Sequence, residues 1–183
     1  LGGLTIDNAV ALTLTNDLTG SGSLAKQGTG VLTLQRPAAH GGPTTVRAGS
    51  VVLGADSGLP NSSEITVEQG ATLDASALPA GLLIGSGRSL GGAGTVVGNI
   101  SAVAGASLVP GSSPGTLTIS GNLSLNNISA EYELGASPWT PGANDQITVW
   151  GDLSLAGVST VRIVPLAALD TSSPYTLFQY STL

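Results

Sequence analysis

Lys26-Gln27-Gly28-Thr29-Gly30-Val31-Leu32-Thr33-Leu34, a polar loop to His40, and then Gly41-Gly42-Pro43-Thr44-Thr45-Val46-Arg47-Ala48-Gly49-Ser50-Val51-Val52-Leu53-Gly54 is the stretch that decides the fold. It alternates short apolar strands with glycine corners. Side chains along a strand point to opposite faces in turn, so Leu32 and Leu34 share one face and Thr33 takes the other. Gly41, Gly42 and Gly49 mark turns that need either an unusual backbone angle or a close approach of neighbouring backbone. Variants of this cassette recur along the chain, which is the pattern of a coil built one turn at a time.

Working outward, the same alternation is visible in Leu4-Thr5-Ile6, Val10-Ala11-Leu12-Thr13-Leu14, Glu64-Ile65-Thr66-Val67-Glu68, Ala71-Thr72-Leu73-Asp74, Leu82-Leu83-Ile84, Thr95-Val96-Val97 and Leu108-Val109. Corners recur roughly every 20 residues, the length of one solenoid repeat. A single turn cannot bury its own apolar face, so neighbours must stack and share a continuous core. The reading is all-β: a parallel, right-handed β-helix, with inward Leu, Val and Ile in columns and outward Thr and Ser. An inward carboxylate such as Leu117→Asp is expected to be strongly destabilising, because its charge would have no partner.

Composition narrows the function. Charged residues make up 9% of the 183 residues and hydrophobic ones 41%, with a net charge of -6. That balance is too apolar for a disordered chain. Apolar runs are broken every few positions, so none reaches the roughly 18 residues of a membrane-spanning helix, and no insertion of this segment into a membrane is expected. Five basic residues scattered at Lys26, Arg36, Arg47, Arg88 and Arg162 exclude nucleic acid, which requires clustered Lys and Arg. Without cysteine there is neither a disulfide framework nor a thiolate metal site. No signal peptide stands at Leu1 and no translocator follows Leu183, so the chain reads as a piece of something longer.

The chain divides into 1–126, the β-helical turns, and 127–183, a C-terminal β section or cap continuous with them. All the aromatics fall in the second part: Tyr132, Trp139, Trp150, Tyr175, Phe178 and Tyr180. Its strands are longer and resemble a meander, with wider turns or a sandwich-like closure in which aromatics seal an open core.

The organising stretch resembles the passenger-associated repeat of bacterial autotransporters, on Lys26, Gly28, Gly30, Leu32, Leu34, Gly41, Gly42, Thr44, Thr45, Val46, Gly49, Leu53 and Gly54. Two departures stand out: His40 takes the place of an aromatic, and Pro43 is inserted before the threonines. A second match, Pro110-Gly111-Ser112-Ser113-Pro114-Gly115-Thr116-Leu117, is similar to a segment found late in such passengers. The resemblance implies a secreted, adhesive or stalk-forming β-helix at a bacterial cell surface, with no catalytic role. Neighbouring repeats or like subunits would join through the open ends of the coil, in one version as a filament. Host or matrix glycans and proteins are the other expected partners. The competing expectation is a carbohydrate-active or carbohydrate-binding β-helix.

Candidate sites are few. A catalytic His40 would need a nucleophile and an orienting acid that the sequence does not supply, so it reads as a structural or exposed loop residue. Glu131 and Glu133 share a strand face, with Asp145, Asp152 and Asp170 in the same section; such acids can cleave glycosidic bonds, but solvated strand faces explain them more simply. No Asp follows Gly91-Gly92-Ala93-Gly94 where a calcium-binding repeat requires one, and Gly20-x-Gly22 lacks the βαβ unit of a dinucleotide site. No metal, cofactor or catalytic residue is assigned. Trp139, between Pro138 and Pro141, is the candidate contact for a ligand or partner; the alternative is a tryptophan folded back over the cap.

Overall fold

The computed structural model describes residues 2–182, and within them every regular element is a strand. The chain winds through three faces per turn. The first face is an eight-stranded sheet of Gly3–Asp7, Ser23–Gln27, Thr44–Val46, Glu64–Val67, Ser89–Gly92, Ser107–Pro110, Ser129–Leu134 and Thr160–Pro165. The second face stacks Leu12–Leu14, Val31–Leu34, Ser50–Leu53, Thr72–Asp74, Thr95–Val97, Thr116–Ser120, the start of Gln146–Ala156, and Phe178–Thr182. The third carries Leu18–Gly20 and Ala38–His40, then, after a break, Leu82–Ile84, Ile100–Ala102, Leu123–Asn126 and the end of Gln146–Ala156. All strand pairs are parallel, so this is the expected β-helix. Eight strands spaced about 4.8 Å apart make a stack on the order of 35 Å tall.

Turn length follows from the register. Leu4 lies opposite Leu24, Leu24 opposite Thr44 and Thr44 opposite Ile65, close to the 20-residue spacing of the corners. The widest turn of the first face separates Ala130 from Val161. On the second face the inward column runs Leu32, Val51, Leu73, Val96, Ile119 and Val149. The outward column beside it runs Ser50, Thr72, Thr95, Thr118 and Thr148. Leu117 is fully buried against Ile147, the position at which an inserted charge would be unpaired.

Two sequence expectations need correction. The polar loop between Leu34 and Gly41 contains a strand of its own, Ala38–His40, which pairs with Leu18–Gly20 and forms the third face of that turn. The strands after Asn126 are not a meander: Ser129–Leu134, Gln146–Ala156 and Thr160–Pro165 pair in parallel within the same sheets. The structure adds an interruption of the third face. Where a strand would stand between Ala38–His40 and Leu82–Ile84, the chain makes a loop that buries Leu59 inward, and Arg88 ties that loop down. Its Nε donates to Ser62 O at 2.7 Å, and its two terminal nitrogens donate to Leu59 O and Leu83 O. One guanidinium thereby bridges carbonyls that a strand ladder would otherwise serve.

Candidate functional site

The repeat motif is the wall of the coil. Leu32 and Leu34 face inward between Leu12 and Leu14 on one side and Val51 and Leu53 on the other. Gly28, Gly30 and Gly49 stack at the corner between the first and second faces, where a Cβ on Gly49 would run into the carbonyl oxygens of Gly30 and Gly28. Gly41 and Gly42 turn the opposite corner, their N–H groups donating to Gly20 O and Gly22 O of the turn beneath. Thr45 points outward beside Ala25 and Thr66, whereas Thr44 points inward between Leu24 and Ile65.

Polar side chains inside the wall were not foreseen. Lys26 is fully buried, in a column between Ile6 and Val46. Its Nζ donates to Gln27 O (2.7 Å), Gly28 O (2.8 Å) and Ala48 O (3.1 Å), carbonyls gathered at the glycine corner, of which Gln27 O also accepts from Asn8 N–H. Burial lowers the ammonium pKa, with the Asp7 carboxylate opposing the shift. The signal was in the sequence: Lys26 shares the parity of the inward Leu24, two residues earlier. His40 is not an exposed loop residue. It is 5% exposed, and its Nε2 pairs with Thr44 Oγ1 at 3.0 Å, which pairs in turn with Ser62 Oγ at 2.8 Å. Nδ1 is buried without a partner, and burial holds the ring pKa below its ordinary value. Nothing in this row supplies a nucleophile aligned on an acid; it fills the inward side of a corner.

The second motif is a corner closed by a side chain. Pro110 ends its first-face strand, Gly111 to Gly115 cross to the second face, and Leu117 enters the core. Asp145, from the following turn, lies beneath this loop and is almost fully buried. Gly115 N–H donates to its Oδ1 at 2.8 Å and Glu133 N–H to its Oδ2 at 2.7 Å. A Cβ on Gly111 would occupy the space of that carboxylate. Burial raises the Asp145 pKa, the two N–H groups lower it, and the nearby Glu133 charge raises it again. Beside it the buried Tyr132 hydroxyl, without a partner, has its pKa raised by burial and by Asp145, and the Tyr132 ring meets Phe178 edge-on at 5.7 Å. Of the acids weighed for hydrolysis, Asp145 is a clamp and Glu131 binds Arg162 at 2.7 Å. Among the described residues no three His, Asp or Glu side chains gather as metal ligands would.

Trp139 does not fold back over the end of the coil. It stands 73% exposed on the loop leading from Ser129–Leu134 to Gln146–Ala156. The base of that loop is pinned. Asn144 accepts from Gly135 N–H and donates to Ser137 O, both at 2.9 Å, and Tyr175 OH from the next turn donates to Gly135 O at 3.0 Å. The other tryptophan, Trp150, is 67% exposed on the same turn, where the 11-residue strand bends from the second face to the third.

Over 174 residues, 92% of this chain, the sequence is 32% identical to "Adhesin BmaC autotransporter" of Brucella suis biovar 1 (strain 1330). The chain spans 4% of that protein's length. No family model matches the chain, and no solved structure matches it. The similarity bears out the family resemblance read from the repeat: nearly the whole chain is similar to a stretch of an autotransporter adhesin, and its fold is the parallel β-helix that the resemblance implied.

Proposed function

We propose that this chain is a length of the extracellular passenger of an autotransporter adhesin at a bacterial cell surface, serving as a rigid spacer and adhesive surface without catalytic chemistry. The observation that carries the reading is the pairing of a parallel first face, continuous over its eight strands, with similarity, along 92% of the chain, to a protein named as an adhesin. A stack of turns sharing one core resists bending, because each turn is hydrogen-bonded to the next along its strands.

The ends of the stack support a further part of the reading. Leu4 and Leu12 at one end are substantially exposed, as are Val161, Ile163 and Tyr180 at the other. All continue inward columns: Val161 follows Ala130, Ile163 follows Tyr132 and Tyr180 follows Val149. Further turns of like coil are the partners that would cover them.

Beads coated with the purified chain, applied to cultured epithelial cells, test the adhesive part. Retention above albumin-coated beads is expected. Retention equal to albumin removes adhesion and leaves a spacer, whose own check is that deleting this stretch from a surface-displayed passenger shortens its reach.

A further inference from the structure

We propose that the turn containing Gln146–Ala156 carries a docking surface for a neutral polysaccharide, with Trp139 and Trp150 as stacking platforms at either end of a hydroxyl-bearing strand face. This deepens the adhesive reading and rests on it.

Tryptophan is one of the more buried residue types on average, so two exposed on one turn stand out. The chain has two, both are more than two-thirds exposed, and both stand on the same turn. They flank the short second-face segment from Gln146 to Val149. Ile147 and Val149 point inward, so Gln146, Thr148 and Trp150 share the outward face. Trp139 stands on the corner loop at the other end of that segment, and the Asn144 and Tyr175 bonds hold the loop in place. Little order must therefore be lost when a ligand meets the indole.

The floor between the rings selects the ligand's chemistry. Gln146 lies beside Thr116 and Thr148 beside Thr118; none of the four is charged, and each hydroxyl both donates and accepts. Sugar hydroxyls match such a floor, while the apolar face of a pyranose matches an indole. A protein partner would require a contiguous apolar core, and here a polar floor separates the two rings. The face is a flat strand surface rather than a cleft, which suits an extended chain over a small molecule. A sulfated or uronate polymer would be repelled by a chain with 11 acidic and 5 basic residues.

Affinity electrophoresis of the purified chain through gels carrying hydroxyethylcellulose, dextran or mannan tests the proposal, with heparin and collagen as the contrasting matrices. Retardation by at least one neutral polysaccharide is expected. Trp139→Ala and Trp150→Ala should each weaken it about tenfold, as for a truncated aromatic anchor, with an unchanged thermal unfolding midpoint. The double variant should abolish it. Retardation by none of the three, by heparin or collagen alone, or undiminished in both variants overturns the proposal. If the variants' beads still adhere to cells while no neutral polysaccharide binds, the adhesive reading stands and this one falls.

Discussion

The turns before Gly54 and those after Pro110 continue one register yet close their corners by different means. In the early turns glycine stacks on glycine, with Gly42 over Gly22 and Gly49 over Gly30, so that backbone meets backbone. In the late turns Gly121 and Gly151 still stack over Gly98 and Gly121 at the corner between the second and third faces, but side chains reach across as well. Asn122 Oδ1 accepts from Asp152 N–H at 2.9 Å, as Asn99 Oδ1 accepts from Asn122 N–H at 3.0 Å, and Asp145 holds two N–H groups at once. A corner closed by backbone contact must stay tight. A corner closed by a side chain can carry a long loop above it, and the late turns use that freedom to hold Trp139 clear of the wall.

Substituting glycines should break this comparison most sharply. Gly49 combines φ +65° with carbonyl oxygens where a Cβ would go. Gly49→Ala is therefore expected to cost about 3 kcal/mol or more, from left-handed backbone and overpacking together. Gly142, in the Trp139 loop, has φ +72° but open space around it, so Gly142→Ala should cost only about 1 kcal/mol. Urea midpoints of the two variants give the answer, and equal losses would show that backbone angle alone sets the cost and that space is irrelevant at the early corner.

Asp145→Ala comes next. It leaves the Gly115 and Glu133 N–H groups without an acceptor, at about 1–3 kcal/mol each, offset in part by removing a charge held in a buried site. A net loss of about 3 kcal/mol is expected, with hydrogen exchange accelerated from Pro110 to Leu117 and unaltered from Gly28 to Gly49. Faster exchange in both regions would mean that the clamp supports the whole coil. Lys26→Met is the counterpart in the early turns. Methionine keeps the stem, the carbonyls of Gly28 and Ala48 lose the ammonium donor, and Gln27 O keeps only Asn8 N–H. A smaller loss of about 1–2 kcal/mol is expected, because the ammonium's own burial cost is removed with it.

The sequence made one of these two kinds of corner readable. Alternation assigned Leu32, Leu34, Ile65 and Val67 to the core, and glycine spacing marked the tight corners, because both follow from local geometry. Asp145 was not readable as a clamp: its partners Gly115 and Glu133 lie 30 and 12 residues away, and only the stacking of turns brings them together. His40 was left open between a structural and an exposed residue for a related reason. The short strand Ala38–His40 has no alternation long enough to recognise, and its inward parity appears only once it pairs with Leu18–Gly20. Trp139 was legible as a surface feature from its flanking prolines, while Trp150 lost its identity in a strand whose bend the sequence does not announce.

Acid should separate the two regions with opposite signs, by smaller amounts. Burial holds the folded His40 pKa below its unfolded value near 6.5. Between those two pKa values the unfolded chain binds more protons, so stability falls as pH drops from about 6.5 through the folded value and then levels off. Protonation would also make both ring nitrogens donors, while Nδ1 has no acceptor, and the Thr44 and Ser62 hydroxyls bonded in that row carry no charge. Asp145 behaves in reverse. Its folded pKa is raised above 3.8 by burial, so its contribution is fully present below that value and is lost as pH rises through the folded one. Hydrogen exchange at pH 7 and pH 5, corrected for intrinsic rates, should show protection around Gly41 to Thr45 falling in acid while protection around Gly111 to Gly115 holds or rises. In His40→Gln the first change should vanish and the second persist. Loss of protection at both corners in parallel would mean that acid loosens the stack as a whole, and that its corners are not independent.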